Sequence, residues 1–166
     1  MLARFRAAVA AAAFACFAFA APEVDAEVVQ VDPDGLAAVL AAEEGNIVVL
    51  NLWATWCAPC LVEIPDLITM EDNLADKNVK LIGLSVDEPR GSTAFIASMR
   101  DKRFPGFLTY ARARGDQDEL VSVVDPAWNE VVPTTYVIGR DGAVKTRIQG
   151  KKSLEEFTAA VLAVAD

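Results

Sequence analysis

Two regimes of apolar patterning alternate along this chain. Asn46 to Trp53 and Val79 to Val86 are apolar at nearly every position, as expected of strands buried on both faces of a sheet with helices above and below. Between them the period changes. From Cys57 onward Ile64, Leu67, Ile68 and Leu74 recur at helical spacing on one side, with Glu63, Glu71 and Asp72 on the other. A strand, helix, strand order requires a right-handed crossover into a parallel pair. Pro65 lacks the N–H that would bond back one turn, so the pattern predicts a kink there.

The flanking segments are shorter. Val28 to Val31 is β-prone, and Asp32-Pro33-Asp34-Gly35 reads as a turn into a short helix with Leu36, Val39 and Leu40 on one face, ended by Gly45. Gly91-Ser92-Thr93 starts a helix with Phe95, Ile96 and Met99 inward, closed by Phe104-Pro105-Gly106; Phe107 to Ala111 is a strand candidate, and Ala111 to Gln117 reads as a loop. Asp116 with Glu119 is a capping-box signature for a helix burying Leu120, Val121 and Val124. Pro133 to Ile138 and Ala143 to Ile148 flank Gly139-Arg140-Asp141-Gly142, a hairpin signal. Ser153 with Glu156 opens a last helix on Leu154, Phe157, Val161 and Val164.

Composition narrows the class. A chain of 166 residues is one ordinary domain, long enough to bury a core unaided. Its net charge of −9 argues against nucleic acid and anionic membrane surfaces. Arg4 and Arg6, the Ala/Phe run to Ala21 and the Ala18-Phe19-Ala20 site predict a cleaved signal peptide over 1–20, with Val24-Asp25-Ala26 as a second boundary and the folded domain over 27–166. An uncleaved anchor is the minority reading, because the run is short of the roughly 20 residues a span needs. The expected location is the periplasm, where a disulfide persists.

Candidate chemistry centres on Trp53-Ala54-Thr55-Trp56-Cys57-Ala58-Pro59-Cys60. No histidine occurs in the chain, and Cys16 falls in the predicted signal, so no metal site is expected. Cys57 falls at a helix N-terminus, where unpaired N–H groups and the helix dipole favour thiolate. It is the expected nucleophile, with Cys60 resolving the mixed disulfide one turn further in. A merely structural bridge closing a two-residue loop would restrain little of the unfolded chain. Pro59 suits the first helical turn, where its missing N–H costs nothing. Trp56 reads as part of an apolar rim beside the thiol, Trp53 as rim or core, and Trp128 as a third candidate for the rim.

Trp53-x-x-Trp56-Cys57-x-Pro59-Cys60, Val132-Pro133-Thr134-Thr135-Tyr136 and the Gly-x-Asp-Gly hairpin together resemble thioredoxin-fold proteins, and more narrowly the exported TlpA/ResA-like thiol-disulfide oxidoreductases. The resemblance implies an α/β, thioredoxin-like fold with a central mixed sheet flanked by helices on both faces. It implies that Pro133 is a cis-proline opposite the cysteine pair and that the Val132 backbone pairs with a partner's extended peptide. Glu63 matches the glutamate that follows the pair in these proteins, with an expected influence on proton transfer at Cys60; Asn51 stands where cytosolic thioredoxins carry a buried aspartate. Implied too are protein thiols and disulfides as substrates, a membrane electron-donor protein, and no cofactor beyond the Cys57–Cys60 disulfide. The expected activity is reductive exchange, as in cytochrome c maturation or cysteine repair. The alternatives are a thiol oxidant, a peroxiredoxin-like antioxidant, and a non-enzymatic binding module with a structural disulfide. Copper delivery is disfavoured by the absence of histidine.

Overall fold

A computed structural model describes residues 27–165 of the protein. The predicted signal segment, with Cys16, lies outside the described residues. Six strands form one mixed sheet: β1 (Gln30–Val31), β2 (Ile47–Trp53), β3 (Val79–Ser85), β4 (Thr109–Arg112), β5 (Thr134–Ile138) and β6 (Val144–Gln149), in the order β1-β4-β3-β2-β5-β6. The first four run parallel, β5 lies antiparallel beside β2, and β6 lies antiparallel beside β5 at the sheet edge. Every residue of β2 is buried, which is what its unbroken apolar run requires, so both faces of the sheet are covered there. The helix α2 (Ala58–Asn73) crosses over from β2 to β3 and packs against α5 (Leu154–Ala165). The thioredoxin-like α/β class expected from the resemblance is the observed one.

Four details differ from the sequence expectation, each for a local reason. Asp32 to Gly35 is not a separate turn but the start of α1 (Pro33–Ala42): the Asp32 carboxylate accepts the Gly35 N–H at 2.8 Å, and Pro33 occupies the first helical position. Ala111 and Arg112 belong to β4, drawn into the sheet by pairing with β1. In α3 (Ser92–Arg103), Ile96 and Arg100 form the inward stripe one turn apart, which leaves Phe95 58 % exposed. Finally, Glu63 lies not on the solvent side of α2 but in its buried stripe with Cys60, Ile64, Leu67 and Met70. Helix α2 runs unbroken through Pro65, an exposed residue whose carbonyl accepts the Thr69 hydroxyl at 2.9 Å.

The strand pair that presents the cysteines is packed tightly from β4. Gly83 of β3 sits opposite Asn51 of β2, and a Cβ there would meet Phe107 Cζ at 2.5 Å and Thr109 Oγ1 at 2.8 Å. Neither neighbour is free to yield. Phe107 packs on Trp53, with ring centroids 5.9 Å apart, and the Thr109 hydroxyl accepts the Trp53 indole N–H at 2.9 Å. Gly83→Ala is therefore expected to destabilise the fold by about 1–3 kcal/mol through overpacking. A lowered urea midpoint at unchanged m-value checks this.

Candidate active site

Strand β2 ends at Trp53 and the chain turns immediately, with the Cys57 N–H bonded to the Ala54 carbonyl at 3.1 Å. Cys57 is the N-cap of α2, with extended backbone (φ −85°, ψ 93°), and its Sγ accepts the Cys60 N–H at 3.3 Å. The sulfur thus takes the place that a serine or aspartate oxygen holds at other helix starts, facing the orphan donors of the first turn. Cys57 and Cys60 are joined as a disulfide, with their Cα atoms 5.3 Å apart. Cys57 is the less enclosed of the two at 4 % exposure, against none for Cys60, so in the oxidised state even the outer cysteine is buried. Pro59 is exposed in the first helical turn and Trp56 is 68 % exposed beside the pair.

The turn is held from the side by a residue whose role pattern alone did not reveal. Asp87, just past the end of β3 and buried, accepts the Thr55 N–H at 2.9 Å, the Thr55 hydroxyl at 2.6 Å and the Ser85 hydroxyl at 2.6 Å. Its one sequence signal is position: an acidic residue directly after an apolar strand of a parallel sheet, the end where ligand and catalytic loops gather.

Behind the disulfide lies a second buried carboxyl. Glu63 Oε1 accepts the Asn51 side-chain N–H at 2.9 Å, and Oε2 accepts the Lys152 backbone N–H at 3.3 Å. The same Asn51 amide donates to Thr135 Oγ1 at 2.9 Å, and Asn51 Oδ1 has no partner among the described residues. Burial pushes the Glu63 carboxyl up from 4.5 to about 7, against the pull of the Asn51 and Lys152 hydrogen bonds and the Lys151 charge. Thr135, which the sequence pattern marked only as a strand residue, thereby joins the junction.

The Val132–Pro133 peptide bond is cis. Register places it at the active end of the sheet, because Thr134 pairs with Leu52 next to the strand terminus from which the cysteine turn departs. Among the described residues neither the N–H nor the carbonyl of Val132 has a hydrogen-bond partner. The preceding residue is pinned: the Val131 carbonyl accepts the Thr134 hydroxyl at 2.7 Å and the Trp128 indole N–H at 3.3 Å. Trp128 is accordingly buried and braces this loop, while Trp53 is core; only Trp56 of the three tryptophans is exposed. Among the described residues no group of three or more Cys, Asp or Glu side chains could hold a metal ion.

A dithiol at this helix start can exchange with an incoming disulfide, and known proteins of similar sequence carry names that match. The AhpC/TSA family matches residues 18–147. The chain is 31 % identical over 129 residues to the thiol-disulfide oxidoreductase ResA of Bacillus thuringiensis subsp. konkukian, covering 76 % of this chain and 69 % of that one. It is 29 % identical over 139 residues to the thiol:disulfide interchange protein HelX of Rhodobacter capsulatus, covering 81 % and 71 %. Among solved structures, a thioredoxin-family thiol:disulfide interchange protein from Chlorobium tepidum superposes with a TM-score of 0.64 at 23 % identity, covering 76 % of this chain and 84 % of the other.

The Glu63 carboxyl makes stability depend on pH. Between 4.5 and about 7 the folded chain holds a proton that the unfolded chain has released, so stability falls as pH rises through that window and levels off above it. The component amounts to about 3 kcal/mol. Glu63→Gln is expected to remove it, so that urea unfolding of variant and wild type diverges in favour of the variant between about pH 5 and about pH 8. A difference that stays constant across that range would contradict this.

Proposed function

The chain belongs to the AhpC/TSA family and is a ResA-like thiol-disulfide oxidoreductase, and we propose that it works as an exported, periplasmic reductant of partner-protein disulfides. The observation that carries this reading is the Cys57–Cys60 disulfide seated on the first turn of α2, with Cys57 Sγ facing that turn's N–H groups. In the reduced enzyme the Cys57 thiolate attacks one sulfur of a partner disulfide; an S–S bond forms and the partner's other sulfur leaves as a thiolate. The Cys60 thiolate then attacks Cys57 Sγ, releasing the second partner thiol and closing the intramolecular disulfide. Two electrons pass to the substrate. A dithiol on a membrane electron-donor protein returns them by the same exchange in reverse.

Substrate contact is assigned to Trp56, Pro59, Val132 and Pro133. Trp56 offers an exposed apolar face beside the disulfide, and Val132 has unfilled backbone groups able to bond an extended peptide without demanding its sequence. Glu63 is assigned to proton handling for Cys60, one helical turn away on the same buried stripe. Similarity to ResA and HelX supports thiol–disulfide exchange as the reaction, and the reading proposed here places that exchange in cytochrome c maturation or a comparable repair of cysteines.

The test is a set of exchange measurements on purified protein. Reduction of insulin disulfides by the wild type, its loss in Cys57→Ser and accumulation of mixed disulfides in Cys60→Ser are the expected results. The reduction potential against glutathione should lie well below the about −120 mV of a DsbA-type oxidant. A value near that oxidant's would overturn the reductant reading, and insulin reduction that survives Cys57→Ser would overturn the mechanism.

A further inference from the structure

Further along the loop that carries Asp87, a cavity of about 400 Å³ opens between Glu88, Pro89 and Arg90 on one side and Arg112, Arg114 and Gly115 on the other. Arg112 is its floor. This side chain, on β4, is only 8 % exposed, yet its charge is met by a single carboxylate, Glu88 Oε1 at 2.7 Å from Nη2, on a residue that is itself 89 % exposed. Nη1 reaches the Gly115 carbonyl at 3.4 Å, and Nε has no partner. Nε–H and the neighbouring Nη2–H form the flat edge of a guanidinium that matches the two oxygens of a carboxylate or phosphate. Half of that edge is filled, by a group that water competes for, and the other half is an orphaned buried donor. Arg90 and Arg114 add two more positive charges on the cavity wall, and neither has an ion-pair partner among the described residues. Three arginines converging on one cavity is unexpected in a chain of net charge −9.

We propose that this cavity binds an oxyanion group, carboxylate or phosphate, of a small molecule, which takes the Nε/Nη2 edge of Arg112 in place of Glu88 while Arg90 and Arg114 close over it. Glu88 then acts as a resident stand-in for the ligand. The volume falls in the lower part of the range of small-molecule pockets, about 300–1,000 Å³. The loop that supplies Glu88 is the one whose Asp87 grips Thr55, so ligand exchange occurs on a segment physically tied to the disulfide turn.

The test uses the full chain, with inorganic phosphate and succinate as probes, titrated at constant ionic strength and followed by backbone amide NMR. Saturable shifts at the amides of residues 113–115 are expected, with the same affinity in Cys57→Ser, which separates this proposal from the redox reading. Glu88→Gln removes the competitor and is expected to tighten binding by about threefold or more. The double variant Arg90→Ala, Arg114→Ala, at exposed positions, should weaken it by at least as much. Absence of saturable shifts in both wild type and Glu88→Gln would overturn the proposal, as would unchanged affinity in Glu88→Gln. A short acidic peptide binding more tightly than either small anion would overturn its small-molecule form.

Discussion

Placing an ionisable carboxyl at zero exposure behind a redox disulfide is the constraint on which the rest of the site depends. Glu63 is reached by Asn51 from β2 and by the Lys152 amide from the connection into α5, and Asn51 ties in Thr135 of β5. Two strands and the connection into α5 are therefore registered against one side chain of α2. Burial of a carboxyl without a cation partner costs several kcal/mol if the group stays charged, and the chain answers by letting it hold a proton up to about pH 7. A buried acid that titrates near neutrality suits the proton-handling role proposed for it.

Two buried carboxyls flank the cysteine turn, and only one of them grips it. Asp87 accepts three hydrogen bonds and fixes the backbone at Thr55, two residues before Cys57. Glu63 contacts no part of that turn by hydrogen bond and acts from behind, along the buried stripe of α2. The first fixes the position of the turn that carries Cys57; the second is the group to which proton handling for Cys60 is assigned in the proposed mechanism. Pre-organisation of this kind removes the loop-ordering cost that an incoming disulfide would otherwise face.

Much of this was legible from pattern. The buried strands β2 and β3, the capped helices α4 (Gln117–Ser122) and α5 and the β5–β6 hairpin follow from periodicity and capping residues, because local rules and tertiary packing agree there. The failures fall where packing overrides a local rule. A glutamate reads as solvent-facing unless its partner amide, twelve residues earlier, is known to lie opposite it. Phe95 reads as core until Arg100 is seen to claim the inward stripe. Asp87 and Thr55 lie 32 residues apart and Arg112 and Glu88 lie 24 apart, so neither pairing leaves a periodic trace. The cis Val132–Pro133 bond came from family resemblance, since a proline before a strand carries no such information by itself.

In the proposed mechanism Glu63 also bears on the direction of electron flow. The disulfide is uncharged and insensitive to a neighbouring negative charge, whereas a reduced Cys60 thiolate is opposed by it. A charged carboxylate disfavours a second negative charge nearby, so in the proposed mechanism a protonated Glu63 is the state that leaves a Cys60 thiolate unopposed. The Cys57 thiolate is stabilised from the other end, by the N–H groups of the first turn of α2. The proposed asymmetry keeps one sulfur ready to attack and the other in reserve, and it weakens below about pH 7, where Glu63 becomes neutral. Stabilising only one thiolate of the reduced pair, rather than both, keeps the reduced form a better electron donor than a pair in which both sulfurs are stabilised, and this is the physical argument for the reductant direction proposed above.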